Sequence, residues 1–484
     1  MAVQIMAKVK GRQVVLEHLG TAHSDAELAV LMHVAHEHLR ADGQLEFDLA
    51  DGKAAAGRSP DSPVVRSQVS RILWDVLSEA YSFLGFDAVG DEAFKQLVLA
   101  RLIEPASKVE TIRILEEIGV AAPHISTVKR CLGRINERDY RQQIAAACHT
   151  RALSRGTLAL CLYDVTTLYF EAEKEDAFRK VGYSKERRVD PQIVVGLLVD
   201  STGFPLQIEA FEGNKAETHT LLPVLNAYRQ THGLTDLIVV ADAGMLSASN
   251  LDALTRAGYR FIVGSRLSKA PYDLQDHFEK KGTFFTDGQI LETSRKMGDH
   301  QWRVVYQYSA KRFVRDNRTI NLQEGRAIDI LEGRIRPKNA RFLTTRGAKR
   351  VIDEAAIQQA RDLSGLKGYV TSIPKEVMSG TDVIGSYHAL WQVEKSFRMA
   401  KTDLAARPMF HHTRGSIDAH LTIVFTALAI ARHLQDATGL SIRKLVRTLR
   451  PLRDVTITIG GHELTAGPDI NPEAREILDQ LPGY

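Results

Sequence analysis

Cysteine is scarce in this chain. Only three occur, Cys131, Cys148 and Cys161, and none sits at metal-knuckle spacing. That argues against a disulfide framework and fits a reducing compartment, so a cytoplasmic or nucleoid location is expected. A sustained apolar core of signal-peptide type is missing from the opening "MAVQIMAKVKGRQVVLEHLG". Long apolar runs are missing too. "LTIVFTALAIARHL" is too short and too closely flanked by charge to span a bilayer, so it is expected to be a buried helix, and no membrane partner is expected. There is no internal repeat and no low-complexity tract. Net charge is small, +4 with a pI near 8.8, which permits a polyanionic partner without demanding one.

With 484 residues, 44% apolar and 25% charged, the chain is expected to fold into two to four domains. Residues 1–62 form a small N-terminal segment and linker, the latter marked by "ADGKAAAGRSPDSP". Residues 63–153 have helical spacing and are read as a DNA-binding domain. Within them "SKVETIRILEEIG" and "ISTVKRCLGRI" suit either a helix-turn-helix carrying Lys129, Arg130 and Arg134 or an ordinary helical hairpin. From 157 to 269 short apolar runs alternate with helices. The first three, "TLALCLYD", "QIVVGLLVD" and "PLQIEAFEG", read as an antiparallel meander, and the whole as a mixed sheet with helices packed on it. Residues 270–365 interrupt this pattern as a basic, β-rich insertion. Twelve Lys or Arg stand against four Asp or Glu between 311 and 350, a local net of +8 that exceeds the charge of the whole chain. Residues 366–437 return to the sheet and add two long helices, roughly 382–403 and 416–437. Residues 438–484 form a tail with a basic helix and a strand pair.

The candidate chemistry lies in carboxylates that close apolar runs. In "LALCLYDVTTLYF" both faces of the strand are apolar until Asp164. "LIVVADAGMLS" repeats the pattern with Asp242, although a helix cap or turn residue is an equally ordinary role for such an Asp. Asp200, in "GLLVDSTG", reads as a hairpin turn residue. In "YHALWQVEKSFRMAKTDL", Tyr387, Glu394 and Lys401 are spaced seven and seven apart, which places them on one face of a single helix. Glu394 on that stripe is read either as an ion pair with Arg398 or as a metal ligand facing the strand ends.

These residues resemble insertion-element transposases of the DDE superfamily. Within it, the likeness is to the subgroup with a Y-x2-R-x3-E-x6-K signature and a β-rich insertion before the glutamate helix. Asp164, Asp242 and Glu394 match the triad, and Tyr387, Glu394 and Lys401 match the signature. Leu390 stands where the signature has arginine. The resemblance covers about 157–437 and implies an α/β fold: a ribonuclease-H-like mixed sheet flanked by helices, interrupted by the insertion, with an N-terminal helical domain. It implies magnesium, with manganese as an alternative, on Asp164, Asp242 and Glu394, with Asp164 bridging two ions. It implies double-stranded DNA partners, both terminal inverted repeats and target, and a homodimer in the active complex. Tyr387, Lys401, Arg398, His412 and Arg414 are the DNA-contact candidates, with His411 beside them. Arg187 and Arg188 in "YSKERRVD" are read equally as DNA contacts or as a solvated hairpin.

Two other functions fit parts of the pattern. "LYDVTT" is similar to the strand-end motif of haloacid-dehalogenase-type phosphatases, but Thr166 stands where that chemistry uses a second Asp. A non-catalytic DNA-binding derivative of a transposase is the third reading.

Overall fold

Apolar runs dictate the centre of this molecule. The computed structural model describes residues 1–9, 12–22, part of 28–35, 64–156, 158–171, 175–182, 190–234, 236–245, 247–265, 267, 274–336, 340–346, 349–459 and 462–481. The described chain divides into two units. One comprises residues 1–79, 112–122 and 437–484; the other comprises 80–111 and 123–436.

In the first unit Ala2–Val9 and Arg12–Thr21 form an antiparallel hairpin. Asp454–Ile459 pairs with His462–Ala466 on one side and with Val64–Val69 on the other. Arg71 Nε donates to Asp454 Oδ2 at 2.6 Å at the end of that sheet. The stretch beginning at Val64, expected to be helical, therefore starts as a strand. Its partner lies almost four hundred residues away, and a helix follows only at Arg71–Phe83. Within the expected helical region of 63–153, residues 63–79 and 112–122 fall in the first unit and the rest in the second.

The second unit is built on an eight-stranded sheet, whose strands are numbered here in chain order: β1 (Leu160–Tyr169), β2 (Gln192–Asp200), β3 (Pro205–Glu212), β4 (Ile238–Ala241), β5 (Arg260–Ser265), β6 (Ile290–Met297), β7 (His300–Tyr308) and β8 (Leu366–Thr371). Their spatial order is β3-β2-β1-β4-β5-β8-β7-β6. β1, β2 and β3 are the expected antiparallel meander. β1, β4 and β5 run parallel, each crossover carrying a helix: Leu221–His232 before β4 and Ala248–Arg256 before β5. All nine residues of β2 are buried, as befits a strand covered on both faces. Asp200 ends it as a turn residue: its buried Oδ1 accepts from Thr202 N at 2.9 Å, Thr202 Oγ1 at 2.7 Å and Phe204 N at 2.9 Å.

The inserted residues join the main sheet. Their hairpin β6–β7 extends it beyond β8, and Val304, Tyr306 and Val370 share one core with Cys161 and Tyr163. The basic "KRFVRDNRTI", expected to be irregular, begins a 22-residue helix, Ala310–Leu331, capped by the Ser309 hydroxyl. That helix packs through Ile320 and Ala327 on Phe342 and Ile357 of the hairpin and helix that follow.

Arg414–Thr438 is the one described helix long and apolar enough to cross a membrane. Of its most apolar window 94% is buried inside the fold, as a core helix should be.

Candidate active site

Strand register sets the first two carboxylates. β1 and β4 pair in parallel from Leu160↔Ile238 through Tyr163↔Ala241, and β4 pairs with β5 through Ala241↔Val263. The next residues along are Asp164, Asp242 and Gly264. Continuing the register puts Asp164 and Asp242 side by side on neighbouring strands, about 4.8 Å apart in backbone spacing. Asp164 is half-buried and Asp242 exposed. The adjacent meander strand β2 extends past this point, so Asp164 lies within β1 rather than at its end.

The third element differs from expectation. Tyr387 and Glu394 do not share a helix. Gly380–His388 carries Tyr387, and Trp391–Thr402 carries Glu394 and Lys401. Between them the backbone tightens: Leu390 N donates to Tyr387 O at 3.1 Å, Gln392 N to Ala389 O at 2.9 Å and Val393 N to Leu390 O at 3.1 Å. Leu390 is buried at this break, so the signature's arginine position faces packing rather than solvent.

Tyr387 makes the key polar contact. Its hydroxyl donates to Asp242 Oδ1 at 2.8 Å. Its ring lies edge-on to Tyr369, centroids 4.8 Å apart, with Lys367 Nζ 5.2 Å above it. Gly264 leaves room for it, since a Cβ there would fall 2.4 Å from the hydroxyl. Burial raises the Tyr387 pKa, and the charge and hydrogen bond of Asp242, Tyr369 and the charge of Glu394 raise it further. The phenol therefore stays protonated as a donor.

The glutamate helix is pinned from below. Ser396 Oγ donates to Gly203 O at 2.8 Å, and the buried Arg432 bridges Gln392 Oε1 at 2.9 Å to the carbonyl of Thr202. The helix thus rides on the β2–β3 turn. Glu394 is exposed in its first turn, where a negative charge suits the helix dipole, and it makes no ion pair with Arg398. Among the described residues no three His, Cys, Asp or Glu side chains are placed to hold a metal ion. Continued register sets Asp164 beside Asp242, and the helix that carries Glu394 is held on the β2–β3 turn.

The expected DNA contacts scatter. Lys401 lies seven residues beyond Glu394 on the same helix face, half-buried, with exposed Arg398 on that helix. His412 lies 3.4 Å from Arg179 Nη1, and Arg414 covers the Phe178 ring at 4.7 Å and faces Asp418 at 3.9 Å. His411 sits against Lys108; burial and that cation lower its pKa to about 4, so it is neutral and not a phosphate-binding cation. Arg187 and Arg188 fall outside the described residues. Lys129 and Arg130 are exposed, but Arg134 is committed to Asp91 at 2.7 Å. Sequence reasoning missed Gly264, Tyr369, Lys367 and Arg432. Only Gly264 carried a signal, as a lone glycine in an apolar strand.

A mixed sheet of order 3-2-1-4-5, with acidic residues on its two central parallel strands and a third on a following helix, defines the ribonuclease-H-like class. The chain belongs to the transposase DDE domain family, which matches residues 156–430. Among solved structures it is similar to a piggyBac transposase synaptic complex with hairpin DNA, at 10% identity over 78% of this chain and 77% of that one, TM-score 0.39. It is also similar to a Mos1 transposase paired-end complex with the left transposon end, at 12% identity over 48% and 66%, TM-score 0.17. No curated protein matches the chain.

Proposed function

We propose that this protein is an active DNA transposase that cleaves phosphodiester bonds at the ends of its element and joins the freed 3′-hydroxyl to target DNA. The observation that carries this reading is the β1–β4 register, whose continuation sets Asp164 beside Asp242, with Tyr387 bonded to Asp242. Three carboxylates are a hard-oxygen donor set that suits magnesium or manganese rather than softer metals. When bound, such ions supply an activated water and stabilise the leaving oxygen. The chain's own residues supply position. Apolar β1 and β4 fix Asp164 and Asp242 on a rigid sheet. Tyr387 orients the Asp242 carboxylate, and Arg432 and Ser396 hold the glutamate helix. Lys401 and Arg398 are assigned to backbone phosphates beside the carboxylates. Two element ends must be cut together, so the active complex is assigned as a dimer.

The haloacid-dehalogenase-type reading gains nothing from the structure: Thr166 lies in β1 where a second carboxylate would be needed. Incubation of the protein with an element-end duplex and magnesium separates a catalyst from a DNA-binding derivative. The protein should nick the duplex at the terminus, and Asp164→Asn, Asp242→Asn and Glu394→Gln should each abolish nicking while duplex binding persists. Normal nicking by any of the three variants removes that residue from the triad.

A further inference from the structure

Just beyond the glutamate helix the chain lines a cavity of about 390 Å³ whose ionisable groups are all of the basic type, with the hydroxyls of Ser107 and Thr111 beside them. Arg101, Lys108, Arg407, His411 and His420 face it, and no Asp or Glu is among its lining residues. Arg101 donates only to neutral carbonyls: Leu404 at 2.9 Å, Ala405 at 3.4 Å and Ala106 at 3.2 Å. Ala405 adopts φ +42°, a strained turn for a residue with a Cβ, in the segment whose carbonyls meet that guanidinium. Lys108 Nζ lies 3.0 Å from His411 Nε2, and the His411 and His420 rings are 5.1 Å apart. His420 is buried, and its Nε2 has no hydrogen-bond partner among the described residues. Burial, with Arg101 adding to it, lowers Lys108 to about 8, and burial lowers Arg101 to about 10. Arg101 and Lys108, held partly out of water beside a cavity that no Asp or Glu lines, are costly to keep charged, and an anion in the cavity reverses that cost.

We propose that this pocket is a phosphate-binding site that takes a backbone phosphate of bound DNA. Phe410, 68% exposed at the pocket wall, lies against the neighbouring sugar or base. The assignment rests on the transposase reading. It also fits the pocket's position: Met409 N donates to Tyr169 O at 3.2 Å, and Arg407 lies 5.5 Å over the Tyr169 ring. Tyr169 is five residues past Asp164 on β1. That is about 16 Å at ~3.3 Å per residue. At ~3.4 Å of helix rise per nucleotide, the captured phosphate lies roughly five nucleotides from the one facing Asp164.

Binding of a fluorescein-labelled element-end duplex, measured across a NaCl series, tests this with wild type, Lys108→Gln and Lys108→Arg. Lys108→Gln should make the slope of log K against log[NaCl] shallower by ~0.9, one counterion's worth, and Lys108→Arg should restore it. A slope unchanged in Lys108→Gln overturns the proposal while leaving the transposase reading intact. If inorganic phosphate raises the melting temperature of wild type but not of Lys108→Gln, and the duplex slope is still unchanged, the pocket serves a free anion and the DNA assignment fails. Failure of wild type to bind the duplex at all sinks the transposase reading instead.

Discussion

Gly264→Ala should disable the active site without touching a carboxylate. The new Cβ would lie 2.4 Å from Tyr387 Oη, 2.8 Å from Cζ and 2.9 Å from Cε2. Overpacking of this kind costs ~1–3 kcal/mol when neighbours must shift. The tyrosine ring has little freedom to yield, with Tyr369 edge-on at 4.8 Å and Lys367 at 5.2 Å. The available relief carries the hydroxyl off Asp242, which gives up a hydrogen bond to a charged acceptor worth ~1.5–3 kcal/mol. Loss of a group that orients a ligand carboxylate typically costs about 10–100-fold in activity. Terminal nicking of an element-end duplex should therefore slow by that factor, with duplex binding kept. A double-mutant cycle locates the effect. In a Tyr387→Ala protein the ring is gone, so adding Gly264→Ala should change nicking by less than about 2-fold. Equal slowing by Gly264→Ala in both backgrounds would refute the argument, because the clash would then act somewhere other than Tyr387.

Two more outcomes follow from burial. Leu390→Arg writes the signature's arginine into a buried position between two helices, so it should lower the melting temperature and leave duplex affinity no higher; a gain in affinity would show that the site opens to DNA. Acid should destabilise the fold through stacked His149 and His232, whose rings lie 4.0 Å apart: burial, then the neighbouring imidazole, lowers His232 to about 4. Both are neutral above ~6.5, the ordinary histidine value. As pH falls from there toward 4, the unfolded chain takes up protons that the folded chain refuses, so stability is lost across that window and levels off below it. His411 and His433 add to the same loss, so His232→Phe should flatten the curve of melting temperature against pH only in part; an unchanged slope would place the histidine pair outside the linkage.

What could be read from the sequence was whatever a local pattern encodes. Asp164 and Asp242 announced themselves because each interrupts an apolar run. The meander was legible because Asp200 and its Ser-Thr-Gly neighbours form a turn that needs no distant partner. The heptad of Tyr387, Glu394 and Lys401 was legible as spacing, but not the break inside it. Ala389 and Leu390 both favour helix, so no propensity marks the interruption, and only the burial of Leu390 reveals what it accomplishes. Val64–Val69 looked like the start of a helical stretch because its strand partner, Asp454–Ile459, is too remote to leave a local trace. The basic run after Ser309 masked a helix, since its apolar positions, Ile320 and Ala327, are sparse and their packing partners come later in the chain.

That break bears on how three carboxylates can act together. On one rigid helix Tyr387 and Glu394 would move as a unit, and any shift of Glu394 toward Asp164 would drag the tyrosine hydroxyl from Asp242. Here the two residues ride on separate helices with different anchors. Tyr387 is tied to β4 and β8 through Asp242 and Tyr369, while the glutamate helix is tied to the β2–β3 turn through Ser396, Gln392 and Arg432. A residue pair at heptad spacing therefore does opposite jobs: one fixes a carboxylate in place, and the other presents a carboxylate that is free of that constraint.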